Sequence, residues 1–421
     1  MSEGRHRAHA EYGITVGELG ASAAQTLVVA LLPVLVAPYA RSALWIGFVV
    51  GGEGLFALLV RLWIGQASDR LPPRLVSLFG RRGLFLLVTT PLMASALVLM
   101  PFLSGYWQLA TTAFVFFAGL HGYLTPLWAL MVDSVPDERR GRVQGTRGVL
   151  RALGLGYGLV VSGVLYGLWR PLPFIVAAAI LVVSTALTAA AARVARSDYT
   201  QIGANPKGGT RQLLGELRHN PAALWLLGAN ALWNGAIDGI RPYAFLFTGA
   251  VLGLGITETS FGLLVLVAGL AIGSLFIGFL GDRYGRGVLL RLGVGATFIA
   301  MGLAFFARDV VSALAVALIA GIGAATIIAL PYPIFASMVG EEHTGQYTGL
   351  FVLSVSFGRV LSPMLVGAAI DLGRPLLPAL RGYPFMWVAA AVLAGAGWLA
   401  AYKATSRPRQ RKDSDSASNC G

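Results

Sequence analysis

The stretch GFLGDRYGR, Gly278 to Arg286, ends a long apolar run, and a cousin, GQASDR, ends another at Gly65 to Arg70. About half of the 421-residue chain separates Asp69 from Asp282. A Gly-x-x-x-Asp-Arg unit at the water edge of two corresponding apolar segments marks a duplicated, membrane-embedded chain. In such a chain function lies at the seam between the two similar halves.

Composition agrees. Hydrophobic residues make up 56% and charged residues 12%, with a mean hydropathy of +0.72. A soluble domain carries roughly 25% charge, about twice what is available here to face water. Apolar segments of about 20 residues recur, each long enough to cross ~30 Å of hydrocarbon. Twelve are read, at 14–37, 43–65, 83–103, 107–131, 147–168, 172–192, 222–250, 260–281, 287–307, 311–334, 348–371 and 384–402. Backbone exposed to lipid must satisfy its own hydrogen bonds, so these are expected to be α-helices. The fold class that follows is an all-α membrane protein with twelve transmembrane helices.

The net charge of +13 invites a nucleic-acid reading, but its distribution excludes one. Most Lys and Arg fall in the N-terminal tail, 70–82, 139–147, 193–218, 283–291 and the tail from Lys403. Only Arg41, Arg170, Arg308, Arg374 and Arg381 fall on the opposite side. This is the positive-inside bias, and it puts both termini in the cytoplasm. The basic excess is topology, with anionic lipid as its neighbour. The first dozen residues lack a signal-peptide layout, so the first span is expected to be retained. Cys420, the one cysteine, excludes an internal disulfide framework. No phosphate-binding Gly-x-x-x-x-Gly-Lys-Ser/Thr loop and no His/Cys cluster is present, so neither an enzyme nor a bound cofactor or metal is expected. The expected form is a multi-pass monomer of the plasma or inner membrane.

The longest polar interval, Arg193 to Asn220, contains the linker-like Asn205-Pro206-Lys207-Gly208-Gly209. An amphipathic piece over Thr210 to Arg218 is expected to lie on the cytoplasmic surface. The chain divides into an N-terminal bundle (1–192), a linker (193–221), a C-terminal bundle (222–403) and a polar, disorder-like tail (404–421). A second echo supports the duplication: PDERRGRVQG, Pro136 to Gly145, precedes span 5, and GEEHTGQYTG, Gly340 to Gly349, precedes span 11.

Six plus six spans with parallel repeats and a long central loop resemble the major facilitator superfamily over nearly the whole chain. The resemblance implies two six-helix bundles working by alternating access. The family's loop signature after span 2 is Gly-x-x-x-Asp-Arg-x-Gly-Arg-Arg. The second copy here matches it at Gly278, Asp282, Arg283, Gly285 and Arg286. The first is stretched: Gly65, Asp69 and Arg70, then Arg74, Arg81 and Arg82. That expansion is similar to the sucrose and glycoside–pentoside–hexuronide symporters. Melibiose-type members of that branch carry an acidic cation ligand where this chain has Arg61, which argues against sodium coupling. In the family the loop aspartate braces helix ends, so Asp69 and Asp282 with their neighbours are expected to gate the cytoplasmic side. Gly154 to Gly163 contains no proline, unlike the span-5 signature of drug-exporting relatives, which disfavours drug export.

Ionisable groups inside spans are expensive and mark function by default. On span 7, Asn230, Asn234, Asp238 and Arg241 recur at helical spacing along one face, with Trp233 beside them. Span 1 carries Thr15, Glu18, Ser22 and Gln25 in the same manner. The resemblance implies that spans 1 and 7 line the central cavity, so both stripes are expected to face one pocket. Asp238 and Arg241 are spaced to neutralise each other; alternatively Asp238 or Glu18 takes up and releases a proton during transport. Glu53, within Gly51-Gly52-Glu53-Gly54, is a third proton carrier, with room beside it for a partner helix. Arg61 is a candidate partner for Glu53. His121 shares a face with Thr125 and Trp128 and titrates near neutrality. Arg359 is the most isolated buried arginine. Asp371 lies about 18 Å farther along the same helix, so a partner on another span, or an anionic group of the substrate, is expected. Arg151 is deep enough to meet a buried acid. Trp128 and Trp233 are placed to stack on a sugar or other planar ligand. The functional expectation is a proton-coupled transporter of a small polar solute, a sugar or glycoside preferred. Efflux of an amphipathic compound and a non-transporting sensor are the alternatives.

Overall fold

The computed structural model describes residues 10–69, 82–194, 218, 220–339 and 344–406. These residues are helical throughout apart from short connections. Twelve helical passages follow in order. The first six are α1 (Ala10–Val36), α2 (Ala43–Asp69), α3 (Gly83–Leu99), α4 (Tyr106–Ser134), α5 (Asp137–Gly156) and α6 (Leu172–Val194). The second six are α7 (Pro221–Ile240), α8 (Ile256–Tyr284), α9 (Arg286–Ala304), α10 (Val310–Ala329), α11 (Thr344–Gly373) and α12 (Phe385–Thr405). Among the described residues, eleven helices are long and apolar enough to cross a membrane. The passage that falls short is α7, because Asn230, Asn234 and Asp238 dilute its apolar run. The protein is a multi-pass integral membrane protein.

Local signals set the helix ends. Asn220 caps α7 by accepting from the Ala223 N–H at 3.2 Å, with Pro221 in the first turn. Asp309 caps α10 by accepting from the Ser312 N–H at 2.9 Å. Between α8 and α9 the chain turns at Gly285, whose φ of 86° is one that a side chain would strain. Two passages break their regularity. Within the run Gly154-x-Gly156-x-Gly158, α5 enters a π-helical turn over Tyr157–Val161 before ending at Leu168. After Ile240, α7 tightens into a 3-10 turn over Arg241–Tyr243 and later loosens into a π-helical turn over Thr248–Leu252. Several helices begin before their apolar runs do. The stretch from Asp137, read as a connection, already belongs to α5, since a charged face does not stop a helix from projecting past the bilayer.

Both ends of the described chain lie on one face, here called the terminal face; the opposite face is distal. Among the described residues, the apolar core runs across the two halves distally, where Tyr243, Phe245, Phe247, Val366, Ile370 and Met386 join the core of α1–α6. A second cluster, centred on Trp233, Val294 and Phe335, stays within the C-terminal half. Large side chains such as Trp63, Leu275 and Val311 stand exposed on the outer surface, as lipid-facing residues do.

The expected linker and tail lie largely outside the described residues, as do residues 210–217 of the amphipathic piece. So do Arg70 and the side chains of Gly65, Asp69, Gly278 and Asp282. Of the expected gate, Arg283 and Arg286 are described and exposed, Arg283 lying over the Tyr284 ring at 5.5 Å.

Candidate functional site

The distal seam is made by small residues. α2 lies along α11 and the end of α5 lies against α8. A Cβ at Gly51 would come within 2.6 Å of the Val360 carbonyl oxygen, and one at Gly54 within 2.8 Å of the Val360 nitrogen. Only glycine allows these backbones so close. Polar contacts then lock the seam. Asp371, at the end of α11, accepts from the N–H groups of Ala43 and Leu44 at 2.9 Å each, so it caps α2 from the other half of the molecule. The Tyr243 hydroxyl reaches the carbonyls of Ala43 at 2.9 Å and Pro363 at 2.8 Å. Thr257 of α8 donates to the Gly163 carbonyl at 3.1 Å.

About 15 Å in from the start of α2, at a helical rise of about 1.5 Å per residue, a second tie crosses the seam. The Arg359 guanidinium bonds Asp238 at 3.0 Å and lies 3.8 Å from Glu53. Asp238 also holds Arg241 at 2.7 Å, and Glu53 accepts from the Gln25 amide. Glu53 and Asp238 are buried. The ties seen between the halves, Asp371 to Ala43 and Leu44, Tyr243 to Ala43, Thr257 to Gly163 and Arg359 to Glu53, lie at this level or distal to it. The space between the halves on the terminal side of this tie is here called the central chamber.

Arg359 therefore has its partner on another span, and in fact two of them. Asp371, on its own helix, serves the distal cap instead. Asp238 pairs with Arg241 as its spacing suggested, but it is shared. Glu53 pairs across the seam rather than with Arg61, because α11 fills the space that Gly51 and Gly54 leave.

The expected stripe on α1 does not face the α7 stripe. Thr15 donates to the Tyr12 carbonyl at 2.7 Å and Ser22 to the Arg151 carbonyl at 2.9 Å. Glu18 accepts from the Trp128 indole at 2.9 Å and from Arg147 at 3.0 Å. Only Gln25 reaches the seam. On α7, Asn230 donates to Ser354 at 2.9 Å and accepts from the Trp233 indole at 3.0 Å, while Asn234 bonds back to Asn230. Trp233 is fully buried, so the expected stacking face is closed to a ligand in this conformation. A large ring packs most favourably where its area is removed from water, and the C-terminal core takes it. Trp128 is only partly buried, and the guanidinium groups of Arg61 and Arg147 lie over its ring at 5.1 and 4.8 Å.

Three N-terminal residues are left over. His121 is fully buried, and neither ring nitrogen has a hydrogen-bond partner. The Nε of Arg61 is buried without a partner. Arg151 meets no acid within bonding distance among the described residues, contrary to expectation. A cation–π contact contributes about 0.5–2 kcal/mol, whereas desolvating a buried ion costs several. Trp128 does not offset the burial of Arg61.

The family model described as the Major Facilitator Superfamily matches residues 14–270 and 250–419. Among curated proteins the chain is similar to the multidrug resistance protein MdtG of Proteus mirabilis (strain HI4320), with 26% identity over 259 residues. That match covers 60% of this chain, and the chain spans only 60% of that relative's length. Among solved structures it is similar to a bacterial homologue of the human lysosomal transporter Spinster in an inward-facing, unoccupied conformation. The TM-score is 0.77 at 17% identity, over 94% of this chain and 97% of the other. The nucleoside transporter NupG gives a TM-score of 0.72 at 12% identity, over 94% and 98%. A bacterial homologue of the iron transporter ferroportin, also inward-facing, gives 0.69 at 14%, over 95% and 99%.

Proposed function

The chain belongs to the Major Facilitator Superfamily, and on that premise we propose that it is a secondary active transporter that couples proton movement to the passage of a small polar solute. The observation that carries this reading is the shared guanidinium of Arg359. One cation serves two carboxylates on opposite halves, so the charge state of either carboxylate sets how firmly the halves are tied. The positive-inside distribution supports a cytoplasmic terminal face, and the ties seen between the halves lie toward the other face, which fits an inward-open state.

Glu53 is the better proton carrier of the three candidates. Asp238 and Glu18 each hold two charge-assisted or indole donors at normal length. Glu53 has only the long contact to Arg359 and the Gln25 amide. Gln25 suits both states, donating to a carboxylate and, after an amide flip, accepting from a carboxylic acid. Protonation of Glu53 leaves Arg359 to Asp238 alone and releases the central tie between the halves. Substrate entry and proton release on one face, followed by closure of the terminal side, complete an alternating-access cycle.

The test is flux in proteoliposomes under an imposed pH gradient, with Glu53→Gln and Asp238→Asn. Accumulation that follows the gradient in the parent and is lost in Glu53→Gln supports the reading; flux indifferent to the gradient overturns it. Glucose and simple glucosides enter this panel because of the stretched first loop. A second reading, proton-driven efflux of an amphipathic compound, draws on the likeness to a protein named for multidrug resistance. Extrusion of a hydrophobic dye, absent with polar solutes, distinguishes it.

A further inference from the structure

Arg61 and Arg151 are the two chamber cations without a carboxylate partner. Among the described residues the chamber contains Arg61, Arg147, Arg151, Arg241 and Arg359 against Glu18, Glu53 and Asp238. Glu18 takes Arg147, while Asp238 and Glu53 between them take Arg241 and Arg359. Arg61 is half-buried with its Nε unbonded. Arg151 is exposed and forms no ion pair among the described residues, its carbonyl accepting from Ser22.

Their place in the chamber is as telling as the charge balance. Arg61 lies two helical turns from Glu53 toward the terminal face, on the open side of the tie between the halves. Arg151 lies one helical turn deeper on α5 than Arg147, which Glu18 already holds. The ring of Trp128 occupies one face of the Arg61 guanidinium, but its N–H donors lie in the guanidinium plane, where the buried Nε stays unbonded. A planar fork of unused donors matches a carboxylate or a phosphate.

We propose that Arg61 and Arg151 form an anion subsite, so that the transported solute carries a carboxylate or phosphate, with Trp128 as the platform beside it. This rests on the transport reading above and narrows its substrate class from polar solutes to organic acids. The subsite is left vacant by the protein's own carboxylates because the ligand supplies the missing charge, and leaves with it.

The experiment is thermal stability of the purified full chain against matched pairs at equal ionic strength: glucuronate with glucose, benzoate with benzamide, and glucose 6-phosphate with glucose. Sodium sulfate serves as a simple-ion control, and nanodiscs of phosphatidylglycerol are set against phosphatidylcholine to detect a lipid phosphate at the same site. At about 100 times its Kd, a binding acid raises Tm by several degrees, and its neutral counterpart does not. In Arg61→Gln the affinity for that acid falls about tenfold or more, while the ligand-free protein is as stable as the parent or more so. Arg61→Lys, which keeps the charge and loses the fork, falls between. Arg151→Gln repeats the test should Arg61→Gln fail to fold. The proposal is overturned if neutral members stabilise as well as acids, if no acid stabilises, if sulfate or phosphatidylglycerol alone gives the full effect, or if Arg61→Gln and Arg151→Gln bind the acid normally. Binding of an acid without flux in proteoliposomes would instead sink the transport reading and leave the subsite standing.

Discussion

On the C-terminal wall of the chamber Asp238, Arg241 and Arg359 are all paired, whereas on the N-terminal wall, among the described residues, half-buried Arg61 and exposed Arg151 meet no acid and the His121 ring nitrogens stay unbonded. Both walls come from one duplicated six-helix plan, so the difference is not a difference of fold. Paired buried charges hold a geometry, and here they hold the two halves at mid-depth. Unpaired ones weaken the resting protein, and they are tolerated where a ligand that comes and goes completes them. The distal seam shows a third arrangement, in which glycines, a capping carboxylate and a tyrosine hydroxyl do the joining, with no ion pair between the halves there among the described residues.

The sharpest way to break this contrast is to remove a paired charge. Arg359→Gln leaves Asp238 short of one partner and Glu53 with only the Gln25 amide, and breaking a buried pair costs about 3–5 kcal/mol. Denaturant unfolding should register that loss and flux should vanish, in contrast to the neutral or stabilising effect expected of Arg61→Gln. An Arg359→Gln protein as stable as the parent would mean that the two walls do not differ.

The next effect concerns the distal seam. Gly51→Ala pushes a methyl group against the Val360 carbonyl, an overpacking of about 1–3 kcal/mol borne by the distally closed state alone. Spin labels across the distal face should report a larger open population and flux should fall. A smaller shift follows from Asp371→Asn, which removes the charge capping α2. The loss is about 0.3–1 kcal/mol, read as a modest rise of the same open population. Smallest for function is Trp233→Phe. It loses the indole bond to Asn230 and about 1 kcal/mol of stability, with apparent KM unchanged because the ring is packed inside the C-terminal core. A raised KM there would return Trp233 to the cavity.

The twelve passages, the duplication and the unusual cost of Glu53, Asp238 and Arg359 were legible along the chain, because apolar length and charge inside it are local properties. Spacing also paired Asp238 with Arg241, since i and i+3 are neighbours on any helix. What spacing cannot carry is the direction in which a helix turns its polar face. The α1 stripe was read as facing α7, yet Glu18 and Ser22 turn to α4 and α5, and Trp233 turns into the C-terminal core. Tyr243 and Asp371 gave no sign of joining the halves, because their partners are backbone groups more than a hundred residues away. The amino-acid order by itself determined that this is a membrane protein of two related halves with expensive charges at mid-depth. Only the tertiary structure decided which charges cancel and which stay open, because pairing across a seam depends on how rigid helices pack, and one helix's register against another is not written in either alone.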